Sequence, residues 1–238
     1  MVSKTRMKPV LCLLVLNEYQ CLKVIIPKLL KKKSTLNISK IYAIDGGSID
    51  HSVKYLEKNK IKVIGQSIKG RGNAFKIAFK NIKAENFIFY SPDGNENMND
   101  IKKFKKYFDQ NYELIIASRM MKGATNEEDA QIIKLRKWAN NFFNFIANFS
   151  FNRGNKYITD SINGFRGITL KASKKINISA DDFTVEYQMT IRAMKKKLKI
   201  YEFPTKESDR IYGTTKAKSI PTGLRFIKRY LSEFFNLN

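Results

Sequence analysis

The stretch Phe87-Ile88-Phe89-Tyr90-Ser91-Pro92-Asp93-Gly94-Asn95-Glu96 decides how the rest of the chain is read. Four apolar residues run straight into Ser-Pro-Asp-Gly-Asn, the pattern of a buried strand that stops abruptly in a polar turn. A carboxylate at the carboxyl end of a buried parallel strand stands where open α/β sheets bind their ligands. Asp93 and Asn95 are oxygen donors two residues apart, so both can reach one hard divalent cation. Alone, the stretch is also compatible with a plain strand and turn, and its neighbours must arbitrate.

Outward from it, the first half of the chain repeats one unit. Pro9 to Leu16 reads as an apolar strand, and Asn17 and Glu18 at its carboxyl end open a helix over Tyr19 to Lys32 that Pro27 is expected to kink or break. Ile41 to Ile44 reads as a second strand, stopped by Asp45-Gly46-Gly47-Ser48-Ile49-Asp50, with Ser48 or Asp50 the expected cap of a helix through Leu56. Ile61 to Ile64 is a third strand, followed by Lys69-Gly70-Arg71-Gly72-Asn73-Ala74 and a helix ending near Ile82. A helix from Asn99 to Phe108 and a strand from Glu113 to Ala117 follow the central stretch. Alternating strands and helices with short polar joints predict an α/β fold, a mostly parallel sheet with helices on both faces. Each polar joint follows a strand, so the joints should meet in one crevice at the carboxyl edge.

Past Ser118-Arg119 the pattern changes. Ile132 to Phe151 contains Trp138, Phe142, Phe143, Phe145, Phe149 and Phe151, with apolar positions recurring at three and four. That predicts an amphipathic helix with a wide apolar face, packed into the core or turned towards lipid or a partner. The loop Thr159-Asp160-Ser161-Ile162-Asn163-Gly164-Phe165-Arg166 leads into a strand from Gly167 to Leu170. Phe183 to Lys197 is a helix carrying Glu186, and Ile200 to Phe203 is a strand ended by Pro204. A basic loop runs from Arg210 to Lys216. Leu224 to Phe235 is an amphipathic helix with Arg225, Lys228 and Arg229 on its polar side.

The chain of 238 residues carries a formal net charge of +24, a field that attracts nucleic acid, anionic headgroups, or nucleotides and phosphates. A lysine-biased composition explains part of that excess. The aromatics fall at helical core spacing and not among the lysine runs, so no nucleic-acid partner is expected. Cys12 and Cys21 form no disulfide framework and no metal signature, which points to a reducing, cytoplasmic setting. His51 stands alone, so no histidine-based catalysis or zinc site can be assembled. No apolar run approaches the length of a membrane span, and the N-terminal apolar run reads as a strand, not a signal peptide.

Taken together, the joints resemble the family 2 glycosyltransferases of the Rossmann-like GT-A fold, and among them the polyprenyl-phosphate sugar transferases of the dolichyl-phosphate mannose synthase group. The matching pieces run in order from about Leu11 to Lys216: Leu16-Asn17-Glu18, Asp45 to Asp50, Gly70-Arg71-Gly72, Ser91 to Asn95, Ser118-Arg119, Asp160 with Gly164-Phe165-Arg166, Glu186, and Arg210 with Gly213 and Lys216. The resemblance implies a catalytic domain over residues 1–216 and a basic amphipathic helix over 217–238. It implies that Asn17, Glu18 and Asp45 hold the base and ribose of a UDP- or GDP-linked sugar. Lys69, Gly70 and Arg71 would lie beside the diphosphate, with the glycines permitting close approach. Asp93 would ligate Mg²⁺ or Mn²⁺ bridging that diphosphate, with Asn95 as second ligand. The family pattern has Asp-x-Asp at this point. Ser91 replaces the first Asp here, which weakens the metal set or calls on Asp160 to assist.

The resemblance also implies an acceptor. A lipid phosphate is already an anion and needs cations to hold it, whereas a sugar hydroxyl needs a general base. Arg119, Arg136, Arg210 and Lys216 are the expected acceptor-phosphate residues. Asp160 is expected near the reacting centre. Glu186 is either a base for a hydroxyl acceptor or a helix-surface acid paired to lysine. The expected reaction is an inverting displacement onto polyprenyl phosphate, carried out by a protein held peripherally on the inner, anionic face of the membrane by its last helix and the Trp138 helix. The rival is a transferase acting on a sugar hydroxyl of a surface polysaccharide, and homo-oligomer formation is compatible with either.

Overall fold

A computed structural model describes residues 7–126, 135–153, 156–213 and 219–236. The described strands are β1 (Val10–Val15), β2 (Ile41–Asp45), β3 (Lys62–Gly65), β4 (Asn86–Tyr90), β5 (Leu114–Ser118), β6 (Arg166–Thr169) and β7 (Ile200–Pro204). They form one seven-stranded sheet in the order β3-β2-β1-β4-β6-β5-β7. Every pairing is parallel except those of β6, which runs antiparallel to both β4 and β5. The helices are α1 (Tyr19–Lys32), α2 (Ser52–Lys58), α3 (Arg71–Asn81), α4 (Ile101–Asp109), α5 (Leu135–Phe151), α6 (Leu170–Ile176), α7 (Val185–Lys195) and α8 (Ser219–Phe234). This is the mostly parallel α/β sheet expected from the alternating pattern, and it agrees with the GT-A-like architecture that the resemblance implies.

Strand periodicity sorts the core into two layers. From β1, Leu11, Leu13 and Val15 face Leu22, Ile25, Ile26 and Leu29 of α1 and Phe104 and Phe108 of α4. Val10 and Cys12 face the other way, towards Phe75 of α3, Phe143 of α5 and Tyr187 of α7. Phe226 of α8 is buried in this second layer, so the last helix is packed onto the body of the protein.

The sequence expectations fail locally in instructive ways. Pro27 neither ends nor interrupts α1, which runs through it with Pro27 exposed. The buried stripe from Leu22 to Leu29 spans the proline, and its packing outweighs the roughly 3 kcal/mol that an interior proline costs. The cap of α2 is His51, not Ser48 or Asp50. Asp50 acts from one position further out, accepting the Ser52 N–H at 2.9 Å and the Tyr19 N–H at 3.1 Å. The expected Trp138 helix is described from Leu135; Ile132 to Lys134 lie outside the described residues.

The topology gathers the functional loops on one edge. Because β6 is reversed, its start lies there: Arg166 pairs with Phe89 near the end of β4 and with Ile116 near the end of β5. Pro204 pairs with Ser118, so the segment after β7 leaves from the same edge.

Candidate active site

At this edge lies a cavity of about 740 Å³, a size suited to a small-molecule ligand. Its walls include Glu18, Arg71, Asp93, Asn95, Arg119 and Arg210, drawn from the ends of β1, β4, β5 and β7 and the start of α3. Lys69 and Gly70 also line it, as does Glu186 of α7.

The turn after β4 is its floor. Gly94 has φ +90°, a conformation that favours glycine, and Ile211 packs where a Cβ would be. The segment from Thr205 to Tyr212 straps across this turn: Ser208 N–H donates to Asn95 O at 2.9 Å and Ile211 N–H to Asp93 O at 3.0 Å. Arg210 then turns inwards. Its Nη1 reaches Asp93 Oδ2 at 2.6 Å, and its Nη2 reaches both Glu18 oxygens at 3.0 and 3.2 Å. Burial pushes the Asp93 carboxyl above the usual carboxylate range, with Arg210 opposing and Glu18 adding to the shift.

Arg71, the first residue of α3, is paired with Glu186. Burial works against its cation, but the charges of Glu186, Glu96 and Asp93 hold its pKa above the ordinary value. This corrects the reading of Glu186 as a surface acid paired to lysine: its side chain is 2 % exposed and its partner is an arginine. Gly70 and Gly72 have a further reason to be glycine. They permit a close approach within the protein itself, because a Cβ on either would collide with the Ala180 or Asp181 carbonyl that crosses the start of α3.

Arg119 is gripped by Asp160, with Nε to Oδ2 at 2.8 Å and Nη2 to Oδ1 at 3.1 Å. Asp160 is fully buried and takes the Asn163 N–H as well, so it stands behind Arg119 and is not itself on the cavity wall. The loop that carries Asp160 is itself built from below. Asn144 Oδ1 of α5 accepts Ser161 N–H at 2.8 Å, and Asn148 Oδ1 accepts Ile158 N–H at 2.8 Å. Arg166, wholly buried, donates to Ser161 O, Asn163 O and Glu186 O, and burial lowers its pKa to about 10. Asparagines at four-residue intervals within an aromatic helix were the available signal for this support.

Two of the expected nucleotide residues staple the loop after β2. The Asp45 carboxylate turns into its own loop, accepting Gly47 N–H, Ser48 N–H and Ser48 Oγ–H at 2.6 to 3.0 Å. Asn17 is exposed; its N–H donates to Ser48 Oγ and its Oδ1 accepts the Ile49 N–H. Neither lines the cavity, whereas Gly46 of the same loop does. Arg136 of α5 lines the cavity, and Lys216 lies outside the described residues.

The fit of this floor to a divalent cation rests on Asp93 and on Asn95, whose Oδ1 is a buried oxygen without a hydrogen-bond donor. No group of three or more His, Cys, Asp or Glu side chains able to hold a metal occurs among the described residues. A carboxylate, an amide oxygen and the phosphates of a ligand together are the donor set Mg²⁺ commonly takes.

The sequence model of glycosyl transferase family 2 matches residues 11–171, which run from the second residue of β1 through β6 and include the Asp93 turn. The chain belongs to that family. As a glycosyltransferase it is 28 % identical over 214 residues to the uncharacterized protein MJ1222 of Methanocaldococcus jannaschii, covering 87 % of this chain and 84 % of that one. It is 25 % identical over 166 residues to the glycosyltransferase AglJ of Haloferax volcanii, covering 69 % of this chain and about half, 52 %, of AglJ. Its fold is shared with glucosyl-3-phosphoglycerate synthase from Mycobacterium tuberculosis, solved in complex with Mn²⁺ and UDP-glucose. That likeness has a TM-score of 0.72 and 14 % identity, and covers 98 % of this chain and 81 % of that one.

Proposed function

We propose that this glycosyltransferase moves a sugar from a UDP- or GDP-linked donor to a polyprenyl phosphate, with inversion, at the cytoplasmic face of a membrane. One observation carries the acceptor assignment. The cavity is lined by Asp93 and Arg71, by Arg119 and Arg136, and by Phe143 of α5 and Phe226 of α8. On those two neighbouring helices, Leu135, Trp138, Phe142, Phe145 and Phe149 form one exposed apolar stripe, and Leu224, Ile227, Leu231 and Phe234 form another. A phosphate held by arginines at the inner end, with its isoprenoid tail leaving beside apolar helix faces, fits that arrangement. No helix among the described residues is long and apolar enough to cross a membrane, so contact would be made by these faces and the basic surface around them.

The chain's own residues divide the work. Glu18 and the Gly46 loop bind the nucleoside end, with Asn17 and Asp45 fixing that loop. Lys69 and Arg71 face the diphosphate. Asp93 and Asn95 would hold Mg²⁺ or Mn²⁺, which would offset the charge gathering on the departing nucleoside diphosphate. Arg119, Arg136, Arg210 and Lys216 orient the acceptor phosphate, one oxygen of which attacks the anomeric carbon as the bond to the diphosphate breaks. Both carboxylates considered as bases for a hydroxyl acceptor are engaged by arginines, Glu186 by Arg71 and Asp160 by Arg119, which favours an acceptor that needs no deprotonation.

The test is a panel of nucleotide-sugars incubated with Mn²⁺ and undecaprenyl or dolichyl phosphate, read by the mass of the lipid product. A glycosyl-phosphate lipid is expected. Transfer only to a sugar hydroxyl would overturn the acceptor assignment. Asp93→Asn should lower turnover at least about a thousandfold while the protein stays folded.

A further inference from the structure

We propose that Glu96 supplies the second carboxylate of the cation site, reaching back from five residues downstream of the acid that Ser91 lacks. The inference rests on the reading that a divalent cation binds at Asp93 and Asn95.

The loop from Ser91 to Glu96 doubles back on the strand that starts it. Glu96 Oε2 accepts the Ser91 N–H at 2.8 Å, and Tyr90 Oη–H donates to Glu96 O at 3.0 Å. The carboxylate of Glu96 is therefore anchored at the backbone of Ser91, within a side chain's reach of where an Asp at that position would end. Among the described residues no donor is bonded to its other oxygen, Oε1. Ser91, Asp93, Asn95 and Glu96 wall the same cavity, and Asn95 Oδ1 is the buried oxygen without a donor. Burial first, and then the negative charge of Asp93, disfavour the ionised form of the Glu96 carboxyl, and a dication shared by the two carboxylates would offset both. Hard cations favour anionic oxygen, so a downstream Glu restores what the Asp-x-Asp pattern ordinarily supplies.

The competing role is a clip that only shapes the turn. Glutamine separates the two, because its amide oxygen still accepts the Ser91 N–H while the charge is gone. Mn²⁺ binding is measured by electron paramagnetic resonance, with UDP or GDP present and no acceptor, so the readout is independent of turnover. Glu96→Gln should weaken Mn²⁺ binding about tenfold or more at an unchanged melting temperature. Adding Ser91→Asp to Glu96→Gln should restore most of that loss. Wild-type Mn²⁺ affinity in Glu96→Gln, with binding lost in Asp93→Asn, would overturn the role of Glu96 and leave the cation reading standing. Loss in Glu96→Gln that Ser91→Asp does not restore in a folded protein overturns it as well. Wild-type affinity in Asp93→Asn would instead remove the cation reading itself.

Discussion

Arg210 and Asp93 form an ion pair on the cavity floor, Nη1 to Oδ2 at 2.6 Å, and the same guanidinium spans to Glu18. In this state the arginine occupies the carboxylate that a cation would need. Charge-assisted hydrogen bonds of this kind contribute about 1.5–3 kcal/mol, and a cation arriving alone must displace one. Arg210→Ala should therefore tighten Mn²⁺ binding in the absence of nucleotide by about tenfold. The same variant should raise the KM for the acceptor phosphate. Titration calorimetry with Mn²⁺ alone checks the first effect. Unchanged or weaker Mn²⁺ binding would show that the pair does not gate the site.

Gly72 ties this charge cluster to the backbone that crosses it. A Cβ there would collide with the Ala180 carbonyl, and the Gly72 N–H donates to Asp181 O at 2.8 Å. Gly72→Ala should push the 180–181 segment away from α3, costing about 1–3 kcal/mol by analogy with overpacked cores. Arg71, one residue earlier, should move with it, so donor KM should rise more than kcat falls. Denaturant unfolding and donor kinetics on the same variant check both parts.

How much of this was legible varies with the physics behind each feature. The Phe87 to Asn95 stretch announces both a buried strand and its abrupt end, because apolar continuity and turn chemistry are local properties. The reversal of β6 is not announced by Arg166 to Thr169, since strand direction is settled by which partners are met, not by periodicity. Helix α6 had a readable start in Thr169, whose Oγ accepts the Ala172 N–H at 3.1 Å, but it follows the strand with no intervening joint. At the site, residue types pointed to the right loops but not to side-chain direction. Asp45 faces its own turn and Asp160 faces Arg119, outcomes set by competing donors in three dimensions. Glu96 closes the same turn, but a lone Glu in a polar loop carries no pattern.

Glu202 of β7 gives the fold a pH dependence that can be isolated. Its carboxylate accepts Thr159 N–H at 2.7 Å and Asp160 N–H at 2.9 Å, beneath the loop that positions Arg119. Burial raises its pKa to about 7, against the pull of those donors. The folded-state value exceeds the unfolded one, so protonation favours the fold. That stabilisation is complete below about pH 4.3 and is lost as pH rises through about 7, a span worth roughly 3 kcal/mol. Glu202→Gln removes the titration while leaving the charge background of the chain otherwise in place. Between pH 5 and pH 8, wild-type Tm should fall relative to the variant by about 5–10 °C, as read by calorimetry at matched ionic strength. Parallel Tm profiles would refute the assignment.

The exposed stripes on α5 and α8 should govern membrane attachment. Phe149 is 84 % exposed at the end of α5, and Ile227 is exposed at the middle of α8. The other side of each helix is anchored: Phe143 and Phe226 meet at 5.2 Å between ring centroids, and Ser150 Oγ lies 2.7 Å from Tyr230 Oη. The outward residues can therefore be changed without opening the core. Burying one such side chain in the interface is worth about 1.5–3 kcal/mol, so Phe149→Glu and Ile227→Glu should each weaken binding to anionic vesicles tenfold or more with Tm unchanged. Because the chain carries a net charge of +24, raising NaCl from about 0.1 to 0.5 M should also release the wild type, as screening shortens the reach of its lysines and arginines. Flotation with phosphatidylglycerol vesicles reads both effects. A wild type that stays unbound at low salt and sediments as a dimer, with Phe149→Glu restoring the monomer, would assign these faces to a second copy of the chain instead.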